Sequence, residues 1–169
     1  MKVYRENIND ALLRTRMKAV STELKIPRVS ELCYEYLRGE IKVFLEKLIQ
    51  RIIIVMAYFK QKTVTMNVIY AATEKYYPIP KLTSCFHQHG NPPCLVFPKS
   101  PFQRFIREIV QDEEAKLRFE KDSFISLQLL TEHYLRHFLQ NGRRIMQLAK
   151  RKTLYPKDLM VVEKIATCK

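Results

Sequence analysis

The sequence predicts an all-α protein in which one helical order, short, long and short, occurs twice in a single chain. The first observation is segment 30–59, whose apolar residues advance by alternating threes and fours, the period of an amphipathic helix. The second is segment 122–148, which has the same period and also lies between two shorter helical segments. The third is a composition with three glycines and no tryptophan. A pattern that recurs in this way indicates an internal duplication.

The first long helix is predicted over 30–59, with Ser30 as its N-cap. Its apolar stripe consists of Cys33, Leu37, Ile41, Phe44, Leu48, Ile52, Val55 and Phe59. The C-terminal third is apolar nearly all round, so we expect other parts of the chain or a partner to cover it on more than one side. Because this apolar run is bounded by Arg51 and Lys60, it is too short to cross a bilayer, and no membrane partner is expected.

The other segments complete the two copies. Short helices are predicted at 15–24, 65–75, 101–111 and 156–166, and the second long helix at 122–148. Pro101 and Pro156 would each occupy the first helical position, where a missing N–H costs nothing. Five prolines between residues 76 and 98 indicate a linker. The predicted domains are therefore 1–75 and 99–169, joined by a linker at 76–98.

The formal net charge is +13, and it is spread evenly, with +6 in residues 1–80 and +7 in residues 81–169. Such a surface favours a polyanionic partner, either nucleic acid or anionic lipid. A well-solvated helical surface is the alternative for many of these charges, since acidic and basic residues alternate along the helices. The four cysteines are unevenly placed and no secretory signal pattern opens the sequence, so we expect a reducing compartment.

Two groups of residues have side chains that bind metals. The linker holds four potential zinc ligands, Cys85, His87, His89 and Cys94. Their spacing is not that of a standard zinc knuckle, so a linker without metal is the alternative and no cofactor is expected to be required. His133 and His137 lie one turn apart on the second long helix, but without a third ligand an exposed or packed pair is the simpler interpretation.

No pattern supports catalysis. No serine or cysteine has an ordered His/Asp partner nearby in sequence, and the chain contains no Gly-rich phosphate loop. We therefore expect a protein that is not an enzyme.

Longer stretches of the sequence resemble the core histones. Residues 28–75 resemble the core of histone four through YEYLRGEIKVFLEKLIQR and KQKTVTMNVIYA, apart from one residue missing near Met66. Residues 99–165 resemble histone three without a gap, through PFQRFIREIVQD, LRFEKDSFISLQ, EHYL and AKRKTLYPKDL. The resemblance implies two histone folds that pair as an intramolecular handshake. Such a fusion is similar to the histone doublets of large DNA viruses.

The function implied by the resemblance is DNA-binding and architectural. It predicts a chromatin protein that wraps double-stranded DNA into nucleosome-like particles without sequence specificity and packages a genome, in the host nucleus or in a viral factory and virion. The alternative is a histone-fold interaction subunit of a transcription-related complex, whose mark would be missing loop arginines. Arginines are present at both loops, Arg28 and Arg118.

The resemblance also assigns residues. Each junction of loops would present an arginine to the DNA minor groove beside a threonine of the other fold, pairing Arg28 with Thr153 and Arg118 with Thr63. The predicted DNA-contacting residues of the loops are Lys25, Arg28, Lys60, Lys62, Thr63, Lys116, Arg118, Lys150, Lys152 and Thr153. The two short helices that begin the folds would form a third contact surface with Arg14, Arg16, Lys18, Lys99, Arg104 and Arg107.

Self-association is implied through the histone three-like half, which would make a dimer of doublets. Its predicted residues are Ile145, Leu148, Arg151, Asp158, Val161, Val162 and Ile165. Arg151 and Asp158 are expected to meet their partners on the second copy across a two-fold axis. A second histone pair or doublet would bind through the histone four-like half.

Overall fold

The computed structural model describes the backbone of residues 9–73, 95–113 and 116–167 and the side chains of residues 14–73, 95–113 and 116–165. The helices are α1 (Asn9–Glu23), α2 (Glu31–Phe59), α3 (Met66–Thr73), α4 (Lys99–Asp112), α5 (Lys121–Leu148) and α6 (Pro156–Thr167). The strands, of two residues each, are β1 (Arg28–Val29), β2 (Thr63–Val64), β3 (Arg118–Phe119) and β4 (Thr153–Leu154). This confirms the all-α architecture in which the order short, long, short occurs twice.

The starts of two short helices differ from the prediction. Helix α1 begins at Asn9, before the predicted start at Thr15, and α4 begins at Lys99 after Pro98. Pro101 is therefore the third residue of its helix rather than the first. It is tolerated there because the first four N–H groups of a helix have no intrahelical acceptor. Pro156 does begin α6, as predicted.

Helices α1, α2 and α5 end in the same way, on a lysine with a left-handed backbone. The φ angles are 54° at Lys25, 52° at Lys60 and 52° at Lys150. After each lysine, the next N–H donates to a carbonyl five residues earlier, from Ile26 to Ser21, from Gln61 to Met56 and from Arg151 to Met146. These are Schellman caps, which usually carry glycine. They turn the chain sharply from the helix into the loop that follows.

The described residues fall into two compact units that do not follow the order of the repeats. One unit is formed by the described parts of 1–40 and 133–169, the other by those of 41–132. The boundaries lie within α2 and α5, so each unit contains parts of both repeats. The first unit buries Met17, Val20, Ile26, Cys33, Leu37, Leu135, Leu139, Met146, Leu154 and Leu159. The second buries Leu45, Leu48, Ile49, Ile52, Val64, Ile69, Ile106, Ile109, Leu127 and Leu130.

Residues 95–98, which the sequence assigned to the end of the linker, are packed into the second unit. Phe97 is buried and its ring stacks on Phe102 with 6.1 Å between the ring centroids. The N–H groups of Val96 and Phe97 donate to one carboxylate oxygen of Glu132 at 2.8 and 2.9 Å. The Gln128 amide donates to the Phe97 carbonyl at 2.6 Å. A buried carboxylate and amide thus fix the chain just before α4.

The apolar ends of the long helices stay exposed. The stripe of α2 is buried from Cys33 to Ile52, but Tyr58 is 81% exposed and Phe59 is also exposed. At the end of α5, Leu148 is 83% exposed. Within the described ranges, no helix is long and apolar enough to cross a membrane.

Candidate nucleic-acid interface

The first loop junction lies in the unit that contains β1 and β4. These strands pair in parallel, with Arg28 opposite Thr153 and Val29 opposite Leu154. Pro27 prevents α1 from continuing into this loop, and the cap at Lys25 turns the chain into β1. The Arg28 side chain is exposed and Thr153 is half-buried.

Two further hydrogen bonds fasten this junction to the start of α2. The Ser30 N–H donates to the Leu154 carbonyl at 3.0 Å, and the Cys33 thiol donates to the same oxygen at 3.3 Å. Burial raises the pKa of Cys33 to about 11, and the Asp158 charge adds to the rise, although a backbone hydrogen bond at Ser30 opposes it. The thiol therefore stays protonated at neutral pH. Its role here is structural, since the thiolate is the reactive form.

The second junction lies in the other unit and has the same layout. Strands β2 and β3 pair in parallel, with Thr63 opposite Arg118 and Val64 opposite Phe119. The Glu120 N–H extends the pairing to the Val64 carbonyl at 3.1 Å. Val64 is fully buried, whereas Thr63 and Arg118 are exposed.

An alternation of side chains sets the register at both junctions. In a strand, neighbouring side chains point to opposite faces, so Leu154 and Val64 face the core while Thr153 and Thr63 face outward. A slip by one residue would turn apolar side chains out and bring an arginine in. Each arginine therefore stands opposite the threonine with which the resemblance pairs it. Contact of these residues with DNA stays a prediction.

Both junctions carry further exposed basic side chains. In the first unit, the exposed basic residues of the two loops are Lys25, Arg28, Lys150 and Lys152. In the second unit they are Lys60, Lys62, Lys116 and Arg118. Because Lys25, Lys60 and Lys150 also stand at helix C-termini, their positive charges lie at the negative ends of the helix dipoles.

The basic residues of the short helices are less uniform than the sequence suggested. Arg14 is ion-paired with Glu31, and its guanidinium carbon lies 5.9 Å from the centre of the Tyr34 ring. Arg107 lies in a similar way 5.6 Å from the Phe124 ring. Like Arg14 and Arg107, the remaining predicted residues on these helices, Arg16, Lys18, Lys99 and Arg104, are exposed. A joint surface of α1 and α4 stays a prediction, because the two helices belong to different units.

Two residues of the predicted self-association surface contact each other. Arg151 and Asp158 pair within the chain, with Nη1 to Oδ2 at 3.0 Å and Nη2 to Oδ1 at 2.5 Å. Their contact with a second copy stays a prediction. Asp158 is only 2% exposed, and Val162 is also buried. These two residues are therefore not exposed on the predicted self-association surface. Leu148, Val161 and Ile165 are exposed on it, and Ile145 is half-buried.

The linker ligands Cys85, His87, His89 and Cys94 lie outside the described residues. Within the described part of the chain, no group of three or more His, Cys, Asp or Glu residues is arranged to hold a metal ion.

Part of the chain matches a known protein family. Residues 93–165 match the core histone domain, the family that comprises histones two A, two B, three and four. The matched range runs from just before α4 into α6, so the second repeat is similar to a core histone domain and has the histone fold. Histone-fold domains are structural and DNA-binding rather than enzymatic, they dimerise with other histone folds, and they are associated in general with chromatin.

Proposed function

We propose that this protein is a histone doublet, in which a histone four-like fold and a histone three-like fold are fused. In this proposal it binds double-stranded DNA without sequence specificity and compacts it into nucleosome-like particles. The observation that carries the proposal is the pair of equivalent junctions, Arg28 opposite Thr153 and Arg118 opposite Thr63. A scaffold that only mediates protein contacts has no need for an exposed arginine at both sites.

The junctions have the physical properties that such binding requires. Each arginine extends from a backbone held by parallel strand pairing, so little loop entropy is lost when it enters a groove. A narrow minor groove attracts arginine through its negative potential, as in the histone octamer, where this binding mode is described. The surrounding lysines neutralise phosphates, which carry no sequence information. Affinity would therefore depend on DNA shape and flexibility rather than on base identity.

The fusion would fix the pairing of the two folds at one to one. Closing a loop of the linker's length costs on the order of 3 kcal/mol. Bringing two separate chains together at micromolar concentration costs about 8 kcal/mol relative to the 1 M standard state. A tethered pair would thus stay associated at concentrations at which two separate folds would dissociate.

Larger assembly would use the exposed apolar ends of the long helices. A second copy would bind at the histone three-like end around Leu148, giving a dimer of doublets, and a second histone pair or doublet would bind at the histone four-like end around Tyr58. By its similarity to viral doublets, the protein would act on chromatin in the host nucleus or in a viral factory and virion, as a genome-packaging protein.

The test is nuclease digestion of the protein bound to mixed-sequence DNA, together with binding measured across salt concentrations. We expect protected fragments of discrete length, and a slope of log K against log salt of about −5 or steeper if six or more phosphates are neutralised. A smear of fragments would mean loose coating rather than wrapping. A slope near zero would instead support a histone-fold interaction subunit of a transcription-related complex.

A further inference from the structure

Arg143 lies on α5 close to the first loop junction and is not among the residues predicted to contact DNA. Its Nη1 donates a hydrogen bond to the backbone carbonyl of Leu24, at the end of α1, at 2.8 Å. The Arg143 side chain is half-buried, and both residues belong to the unit that contains β1 and β4. The guanidinium is therefore engaged with the backbone that leads into the junction.

This hydrogen bond is made where a helix lacks donors. The carbonyls of the last helical turn have no intrahelical N–H to accept from, and a positive charge there also lies at the negative end of the helix dipole. Arg136 lies about two turns earlier on the same face of α5, and its Nη2 is 3.5 Å from the Glu23 carboxylate. Two arginines of α5 thus hold the C-terminus of α1.

The backbone held in this way leads directly to Arg28. Leu24 stands four residues before Arg28 in the sequence. Between them, Lys25 has a left-handed backbone and Ile26 is buried, with its N–H donating to the Ser21 carbonyl at 3.0 Å. Because this stretch is short and fixed, a change at the end of α1 would alter the position from which Arg28 extends.

The corresponding position in the first repeat holds no arginine. Arg143 stands seven residues before Lys150, the lysine with a left-handed backbone after α5, and the residue seven before Lys60 is Ile53. The Ile53 side chain has no polar atom and cannot donate to a carbonyl. An effect of Arg143 should therefore be confined to the first junction.

We propose that Arg143 is a positioning residue for DNA binding, which holds the backbone before β1 so that Arg28 is oriented for entry into a groove. This inference rests on the proposed function, because DNA supplies that groove. When the hydrogen bond to Leu24 is lost, the end of α1 and the loop adopt more conformations, and ordering them on DNA costs affinity. Arg143 itself neutralises no phosphate, unlike the lysines around the junction.

A double-mutant cycle on DNA affinity separates positioning from direct contact. Arg143→Ala should weaken binding to mixed-sequence DNA about fivefold when Arg28 is present, and less than about twofold in an Arg28→Ala background. In an Arg118→Ala background the loss should again be about fivefold, because Arg118 lies at the other junction. Equal losses with and without Arg28 would overturn the proposal. A salt slope reduced by about 0.9 in addition would make Arg143 a phosphate contact.

The next residue in the chain gives a control of matched charge. Arg144 is exposed, and its Nη1 donates to the Asn141 side chain of its own helix at 3.2 Å. Arg144→Ala removes the same charge as Arg143→Ala without releasing α1, and should weaken DNA binding less than about twofold. Equal losses from the two single variants would show that charge alone acts, and would also overturn the proposal.

Amide hydrogen exchange of the free protein tests the same inference without DNA. In Arg143→Ala, the N–H groups of Ile26 and Ser30 at the first junction should exchange about fivefold faster than in the wild type. The Glu120 N–H at the second junction should exchange at its wild-type rate. Arg143→Lys, which keeps the charge without the planar guanidinium, is a milder variant that should show the same pattern if alanine disturbs folding.

The exchange results also separate this inference from the proposed function. Unchanged exchange at Ile26 and Ser30, or equal acceleration at both junctions, would overturn the positioning role of Arg143. Acceleration confined to the first junction, together with a wild type that does not bind DNA, would overturn the proposed function and leave the hold of Arg143 on the loop established.

Discussion

Arg151 and Asp158 form a two-pronged ion pair that joins the loop after α5 to the first turn of α6. The same carboxylate accepts the backbone N–H of Tyr155 at 3.0 Å, three residues earlier, as an acidic residue does in a capping box. The buried Asp158 carboxylate is therefore satisfied inside one chain. A substitution at this position would therefore disturb the start of α6.

The pair predicts acid-sensitive stability. Burial alone would raise the pKa of Asp158, but the hydrogen bonds from Arg151 and Tyr155, with the charges of Arg151 and Lys157, outweigh it and lower the pKa. The stabilising effect is thus complete above about pH 3.9, the ordinary aspartate value, and is lost as pH falls through the lower folded value. Asp158→Ala should lower the Tm at pH 7 by roughly 4–8 °C and remove this acid-sensitive part. Asp122→Ala, at an exposed first-turn aspartate of α5, is the matched control and should change the Tm by much less.

Replacing the junction arginines should weaken DNA binding without lowering the stability of the free protein. Arg28→Ala combined with Arg118→Ala should weaken wrapping on every DNA sequence tested, while the Tm of the free protein changes by less than about 2 °C, because both side chains are exposed. Lys47→Ala with Arg144→Ala removes the same charge from exposed helix positions outside the junctions. Equal loss of protection in both double variants would show that net charge, not junction geometry, determines wrapping.

At the lysines with a left-handed backbone, a substitution that increases stability is expected to weaken DNA binding. At φ 52°, Lys60 adopts a conformation that glycine adopts at lower cost, so Lys60→Gly should stabilise the protein by about 1 kcal/mol, roughly 2–4 °C in Tm. It should also weaken DNA binding, because a basic side chain at the junction is lost. Lys62→Gly removes the same charge from a residue without positive φ, and should weaken binding without raising the Tm. A Tm for Lys60→Gly at or below that of Lys62→Gly would contradict this account.

The two described helical glycines predict opposite effects of alanine. A Cβ at Gly39 would meet no atom within 4 Å, so Gly39→Ala should stabilise α2 by about 0.5–1 kcal/mol. At Gly142 a Cβ would lie 2.8 Å from Cδ2 of Leu159 and 3.3 Å from Cδ1 of Leu154. Both leucines are fully buried, so Gly142→Ala should cost about 1–3 kcal/mol in overpacking, partly offset by the helical gain. Denaturant midpoints of the two variants check the sign of each effect, and a stabilised Gly142→Ala would show that the leucines can yield.

The predictable part of the structure came from residues whose neighbours in sequence explain their environment. Cys33 and Leu37 are buried where the helical period puts them, and Pro156 begins α6 as its missing N–H allows. The pairing of Arg28 with Thr153 followed from resemblance to paired folds, since periodicity holds no information about residues more than a hundred positions apart.

Other features depend on contacts that no local pattern shows. Glu132 appears as one more polar residue on α5, yet it accepts the N–H groups of Val96 and Phe97. The left-handed lysines lacked the glycine that normally marks such a cap. Arg14, which the sequence predicts to contact DNA, is also paired with Glu31 at the start of the next helix, and the two residues approach each other only in the fold.

Leu148 and Tyr58 occupy the same place in the two repeats, each two residues before a left-handed lysine, and together they predict how copies assemble. Leu148 is 83% exposed and Ile165 is 59% exposed, and each would contribute about 1.5–3 kcal/mol if a second copy buried it fully. In a two-fold contact each residue is present twice, once in each copy. Leu148→Glu with Ile165→Glu would therefore place four like-charged groups in one contact. In high salt without DNA, light scattering should give two chains for the wild type, one chain for this double variant and two chains for Tyr58→Glu, all with equal helix content. Loss of the dimer in Tyr58→Glu alone would place the contact between copies at the histone four-like end. A wild type that is a single chain both free and on DNA would mean that the protein coats DNA as separate tethered pairs.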